Sequence, residues 1–158
     1  MSRSLTIPYL QVIQTLSRRR KASIYLVGGF LRDQFLNRSG CDFDFTVSKD
    51  AIALARSFGR AIKGAFVLLD EEHPCGRVVK KENGQILTFD FSDFRSSSLE
   101  KDLKLRDFTV NTFCLDVGKL DASTNITEEL MDLRHGLKDL KTKTIRNRGD
   151  LLHQLIID

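Results

Sequence analysis

The chain has 158 residues, enough to bury the core of one domain, and its 41% hydrophobic and 29% charged content is that of an ordinary globular protein. No apolar run approaches the length of a membrane span, and Cys41, Cys75 and Cys114 form no C-x-x-C pair and leave an odd thiol, which argues against a disulfide framework and suits a reducing cytoplasm. The net charge of +4, with a pI near 9.1, is uneven: nothing acidic precedes Asp33, while Arg18, Arg19, Arg20 and Lys21, and later Lys138, Lys141, Lys143, Arg146 and Arg148, form basic clusters that suit a polyanionic partner or a solvated surface.

In chain order, Pro8 opens a helix over about 8–21, whose Leu10, Val12, Ile13 and Leu16 form an apolar stripe. That stripe identifies the acid-free start as an integral helix, although its composition also suits an organelle transit peptide. Ile24 to Val27 reads as a strand, closed by Gly28-Gly29, which open a short helix through Leu36. Asp42 to Val47 alternates polar with apolar and is the next strand; Ser48 then caps a helix over about 49–60. Strands follow at 65–69, 77–81 and 85–92. Ser97 and Glu100 make a capping box for a short charged helix with a solvated face, 112–117 is a further strand, and 121–129 is a polar loop. No repeat or interdomain linker interrupts the chain, so the expectation is one α/β (α+β) domain. Its sheet is mixed and mostly antiparallel, with helices on one side and a metal site at an open edge.

The chemistry concentrates early. Gly28-Gly29 leads a strand into a helix N-terminus, where backbone N–H groups converge on one spot suited to an anion. Asp42 and Asp44 are two apart in a strand, so both carboxylates leave one face and Phe43, Phe45 and Val47 leave the other. Alone, the two aspartates read as the solvated side of a half-buried strand and the glycines as a tight turn. Together with Arg32, they read as a phosphate cradle beside a dication site, the combination in-line phosphoryl chemistry needs. Arg32 is the phosphate ligand, because its planar donors grip oxyanions in pairs, and Asp33 takes a structural ion-pair role. Asp90, in an alternating strand with Thr88 and Ser92, is either a third site carboxylate or an exposed-face residue. His73, His135 and His153 are scattered among polar neighbours and read as surface or loop residues.

At these residues the chain resembles the head domain of the class II tRNA nucleotidyltransferases (CCA-adding enzymes) and bacterial poly(A) polymerases, of the polymerase-β-like nucleotidyltransferase superfamily. The family pattern is an apolar strand, G-G-x-x-R-D and D-x-D. A second motif reads here as Asp102-Leu103-Lys104-Leu105-Arg106-Asp107-Phe108-Thr109-Val110-Asn111, and a third runs from Asp132 through Gly136 to Asp139-Leu140. The resemblance spans about 23–158. It implies Mg²⁺ on Asp42 and Asp44, with Gly28, Gly29, Arg32 and Arg106 at the nucleotide triphosphate and Asp107 and Asn111 around the sugar and pocket wall. Catalysis would rest on Asp42 and Asp44, with Asp90 as a third carboxylate on its strand pattern more than on the family, whose class II members vary there.

The implied activity is template-independent transfer of a nucleotide from ATP or CTP to an RNA 3′-hydroxyl, with a tRNA 3′ end as the expected partner. CCA addition and poly(A) addition share every motif present, and a non-catalytic nucleotide- or RNA-binding head is the alternative. Small-molecule nucleotidyltransferases of the superfamily fit less well, since they open with G-S where this chain has G-G. Family members continue past the position of Leu152 into a D-P-L-R segment that begins a helical neck, and this chain stops at Asp158. The expectation is therefore a head domain over 1–158 without neck and body, as a fragment, a truncated product or one half of a split enzyme working with a separate neck and body polypeptide.

Overall fold

The computed structural model describes residues 5–147; Arg148, His153 and the stretch to Asp158, where the neck was expected to begin, lie outside the described residues. The elements are α1 (Leu10–Arg20), β1 (Ile24–Val27), α2 (Gly29–Phe35), β2 (Asp42–Val47), α3 (Ala51–Ile62), β3 (Ala65–Asp70), β4 (Cys75–Glu82), β5 (Gln85–Asp93), α4 (Leu99–Lys104), β6 (Cys114–Asp116), α5 (Ile126–Glu129) and α6 (Gly136–Lys141). Short 3-10 turns occupy Thr109–Asn111 and Val117–Lys119.

Six strands form one sheet in the order β3-β4-β5-β2-β1-β6. Only β2 and β5 run parallel; the other neighbouring pairs are antiparallel, as the mixed, mostly antiparallel expectation requires. Alternation sends Ile24 and Leu26 of β1, Phe43, Phe45 and Val47 of β2, Phe89 and Phe91 of β5 and Val78 of β4 to one face, where all are buried. The parallel register sets Phe43 opposite Phe89 and Phe45 opposite Phe91, and both pairs stack, with centroids 5.1 Å and 4.9 Å apart. Phe58 of α3 meets Phe89 and Phe91 edge-on, and Leu54, Ala55 and Ile62 complete the buried stripe of that helix. Such a fully buried phenylalanine contributes about 3–5 kcal/mol against truncation to alanine.

The two longer helices, α1 and α3, cover this face as expected of one-sided packing. On the other face α4 packs Leu103 on Val27 of β1 and Cys114 of β6, and its Asp102 accepts the buried Thr46 hydroxyl of β2. This departs from the expected solvated helix. Leu103 is fully buried, and so is Asp102, whose Oδ1 accepts the Arg95 backbone N–H at 2.8 Å. Charge density alone suggested exposure, but the buried carboxylate is satisfied locally.

Other boundaries moved for identifiable reasons. Ser48 does not cap α3: its hydroxyl accepts the Ser23 N–H, and the first amide of α3, from Ala51, is taken by Asp93 Oδ1 at 2.9 Å. The cap of α4 is Ser98 rather than Ser97, which instead accepts from Lys101 Nζ. The strand expected at 112–117 shortens to β6 because a 3-10 turn occupies its approach, and the polar loop contains α5, capped by Asn125. The carboxylates are not at an open edge, because β2 has β5 on one side and β1 on the other. Alternation reports the face of a strand and is silent on its neighbours.

Candidate active site

On the face opposite the phenylalanines, strand register builds a continuous row. Val27 of β1 lies opposite Asp44 of β2, Asp44 opposite Asp90 of β5, Asp90 opposite Arg77 of β4, and Arg77 opposite Val67 of β3. Two carboxylates and a guanidinium therefore stand side by side at the sheet centre, with Asp42 one pleat away on the same face. Asp42 is exposed and Asp44 half-buried, and neither carboxylate has a hydrogen-bond or ion-pair partner among the described residues. Burial pushes the Asp44 carboxyl above its ordinary range, with the charges of Asp90 and Asp42 adding to the shift and those of Arg106 and Arg77 opposing it.

Asp90 is differently placed. Arg77 Nε donates to its Oδ1 and Arg77 Nη2 to its Oδ2, each at 2.8 Å, a two-toothed pair that uses both carboxylate oxygens. The pair raises the Arg77 guanidinium further above its already high value. No motif drew attention to Arg77, and only the strand register reveals it.

Arg106 follows α4 and reaches into the same cleft, about 390 Å³ in volume, which Asp44 and Asp90 line together with Arg95, His73 and Cys75. Its Nη2 lies 3.6 Å from Asp102 Oδ2, and its buried Nε has no hydrogen-bond partner. It is thus a cation facing carboxylates with donor capacity to spare. A larger cleft of about 590 Å³, between α1 and the segment around Leu120, is lined by none of the residues the motifs single out.

The glycine pair meets the carboxylates directly. Gly28 has φ 82° and ψ −150°, a conformation essentially restricted to glycine, and a Cβ there would lie 3.2 Å from Asp44 Oδ2. A Cβ on Gly29 would lie 3.2 Å from Arg32 Nη2. Arg32 itself is held by its neighbours: Nη2 is 2.8 Å from Asp33 Oδ1, the ion pair anticipated for Asp33, and Nη1 donates to Asn111 Oδ1 at 3.0 Å. The predicted residues thus fall into two groups, joined by Gly28-Gly29. Asp42, Asp44, Asp90 and Arg106 form one, and Arg32 and Asn111 the other, while Asp107 is exposed beside Arg106.

The third motif braces the second. Asp132 accepts the N–H groups of Gly136 and Leu137 at 2.7 Å and 3.0 Å, and so caps α6 from outside. Asp139 of α6 accepts the buried Thr109 hydroxyl at 2.7 Å and pairs with Arg146, which with Thr109 holds its carboxyl below the usual range. Thr109 begins the 3-10 turn that ends at Asn111, so this lattice sets where Asn111 meets Arg32.

A mixed sheet thus carries two carboxylates and a guanidinium in register, under a glycine turn and beside a second arginine. The profile of the family described as "Poly A polymerase head domain" matches residues 24–146, and the chain belongs to that family. It is 32% identical over 142 residues to a CC-adding tRNA nucleotidyltransferase of Geobacter sulfurreducens, covering 90% of this chain and 31% of that enzyme. It superposes on the Thermotoga maritima CCA-adding enzyme complexed with tRNA at a TM-score of 0.74, with 28% identity, over 91% of this chain and 34% of that one. A tRNA nucleotidyltransferase complexed with a primer tRNA and an incoming ATP analogue gives 0.71 at 30% identity, over 87% and 39%. The chain thus spans about a third of the length of these relatives.

Proposed function

We propose that this chain is the head domain of an RNA 3′-end nucleotidyltransferase, acting on the 3′ end of tRNA with ATP or CTP. The observation that carries the reading is the in-register Asp44-Asp90 pair with Arg106 in the same cleft. In the transfer, the 3′-oxygen of the RNA forms a bond to the α-phosphorus, the bond from that phosphorus to the bridging oxygen breaks, and pyrophosphate leaves with the electron pair.

Asp42 and Asp44 fit a dication of the Mg²⁺ type: both are hard oxygen donors on one face, both lack a partner, and Asp44 is held in a field that disfavours its own ionisation. Mg²⁺ bound there would lower the pKa of the attacking hydroxyl and neutralise charge on the phosphates. Arg106 offers its unpaired donors to the triphosphate. Arg32, steadied by Asp33 and Asn111, supports the glycine turn against the phosphates, and Asp107 and Asn111 border the sugar. Asp90 is the third carboxylate of the reading, and through a lone pair that Arg77 leaves over it would accept the hydroxyl proton. A cytoplasmic setting belongs to the same reading, supported by three unbridged cysteines; among the described residues no helix is long and apolar enough to cross a membrane.

The test is calorimetric titration of the chain with ATP, CTP and AMP in Mg²⁺, alongside incorporation of labelled nucleotide into tRNA lacking its CCA end. Metal-dependent triphosphate binding is expected, with Asp42→Asn and Asp44→Asn each lowering turnover by at least ~10³-fold. Triphosphate binding without incorporation would reduce the chain to a binding head, and incorporation unchanged in both variants would overturn the site.

A further inference from the structure

Three carboxylates share the sheet face, yet they are not equivalent. Asp44 lines the cleft and Asp42 lies one pleat away on the same face, and neither carboxylate has a partner among the described residues, whereas Asp90 has both oxygens engaged by one guanidinium at 2.8 Å. We propose that Arg77 is a positioning residue that withdraws Asp90 from the metal set, leaving Asp42 and Asp44 as the two carboxylates that hold the cation. The inference rests on the reading of Asp42 and Asp44 as the cation site and adds to it which carboxylate is excluded, and by what.

The strand arrangement makes the withdrawal structural. Arg77 and Asp90 are direct partners in the antiparallel β4–β5 pair, so their backbones hold the two side chains together at every moment the sheet is intact. Charge-assisted two-toothed pairs are among the strongest polar contacts in proteins, and a cation recruiting Asp90 would have to share the carboxylate with the guanidinium, against the repulsion of its charge. The pair also sets the charge at the site. Asp42, Asp44 and Asp90 carry three negative charges and Arg77 and Arg106 two positive ones. Without Arg77 a third unneutralised carboxylate would face any bound dication.

A double-mutant cycle read by Mn²⁺ binding, using electron paramagnetic resonance on the chain without nucleotide, tests this. Arg77→Met should tighten Mn²⁺ about fivefold to tenfold, because a nearby cation is lost and Asp90 is released. Arg77→Met combined with Asp90→Asn removes a neutral pair and should return the affinity to within twofold of the unsubstituted chain. If Asp90 is instead a ligand, the double variant binds Mn²⁺ at least tenfold more weakly than the unsubstituted chain, and the inference is overturned. Asp44→Asn separates the two levels. Loss of Mn²⁺ binding there upholds the cation site whatever the cycle shows, whereas unchanged binding removes the site and the inference with it. Circular dichroism melts of each variant establish that the compared species are folded; an Arg77→Met chain that melts out is replaced by Arg77→Gln, for which the same affinities are expected.

Discussion

Asp44 carries a cost that the proposed cation site would explain. Its folded-state carboxyl titrates above the ordinary range because it is half-buried and faces Asp90 and Asp42. The folded chain therefore binds this proton more tightly than the unfolded chain, and stability falls as pH rises through the folded value. Asp44→Asn should raise the thermal midpoint at pH 7, and the gain should shrink as pH is lowered and be lost below about 3, where the carboxyl is mostly neutral in both states. Equal midpoints for the two chains at pH 7 would contradict this. Gly28→Ala makes the complementary prediction. Its Cβ would need a conformation foreign to alanine and would crowd Asp44 Oδ2. We expect about 1–3 kcal/mol of destabilisation by denaturant melts and a loss of Mn²⁺ affinity. Both residues were legible in the sequence, since a G-G pair and a D-x-D alternation are local patterns. Arg77 was not, because nothing local distinguishes an arginine paired across β4 and β5 from one in solvent.

Among the elements, α6 shows how a motif can matter without touching the cleft. Asp132 caps it, Asp139 anchors Thr109, and a Cβ on Gly136 would run into the Thr109 carbonyl and the Phe113 ring. Asp139→Ala leaves the Thr109 hydroxyl without its partner and Arg146 unpaired, with an expected cost of about 2–3 kcal/mol by urea melts. Because Arg146 holds the Asp139 carboxyl low, this stabilisation is present above the ordinary carboxylate range and lost only as pH falls through the depressed value. The Asp139→Ala effect should therefore persist unchanged from pH 8 to pH 6, and a cost that halves over that interval would point to another group. The sequence exposed the spacing of this motif but not its use. The bracing partners Thr109 and Asp139 are thirty residues apart. The caps of α3 and α4 depart from the sequence pattern for the same reason, since the Ser48 hydroxyl is taken by the Ser23 N–H and the α4 cap falls to Ser98.

At the scale of the whole molecule, charge is divided between faces. Between Leu10 and Arg20 and between Ala51 and Ile62 there is no acidic residue, while Arg18, Arg19, Arg56 and Arg60 are exposed on these two helices. Retention on an RNA duplex should therefore be weak and steeply salt-dependent, losing at least tenfold in affinity between 50 and 200 mM salt. Substituting Arg56 and Arg60 with Gln should flatten that dependence, and an unchanged salt slope would move the RNA contacts elsewhere. The fold class, the sheet composition and most strands were readable because hydrophobic alternation is strong in β1, β2 and β5. Strand order was not, and with it went the central position of the carboxylates.

The single parallel pairing, β2 with β5, has a kinetic meaning. Asp44 and Asp90 meet only when a segment of some forty residues, containing α3, β3 and β4, has closed upon itself, whereas β3, β4 and β5 are joined by short turns and can zip locally. Closing a long loop is entropically slow and is rewarded only once the stacked phenylalanines lock. During refolding, helical ellipticity should return first and the capacity to bind a dication last. A newly made chain would thus pass through a period in which it is structured but chemically silent.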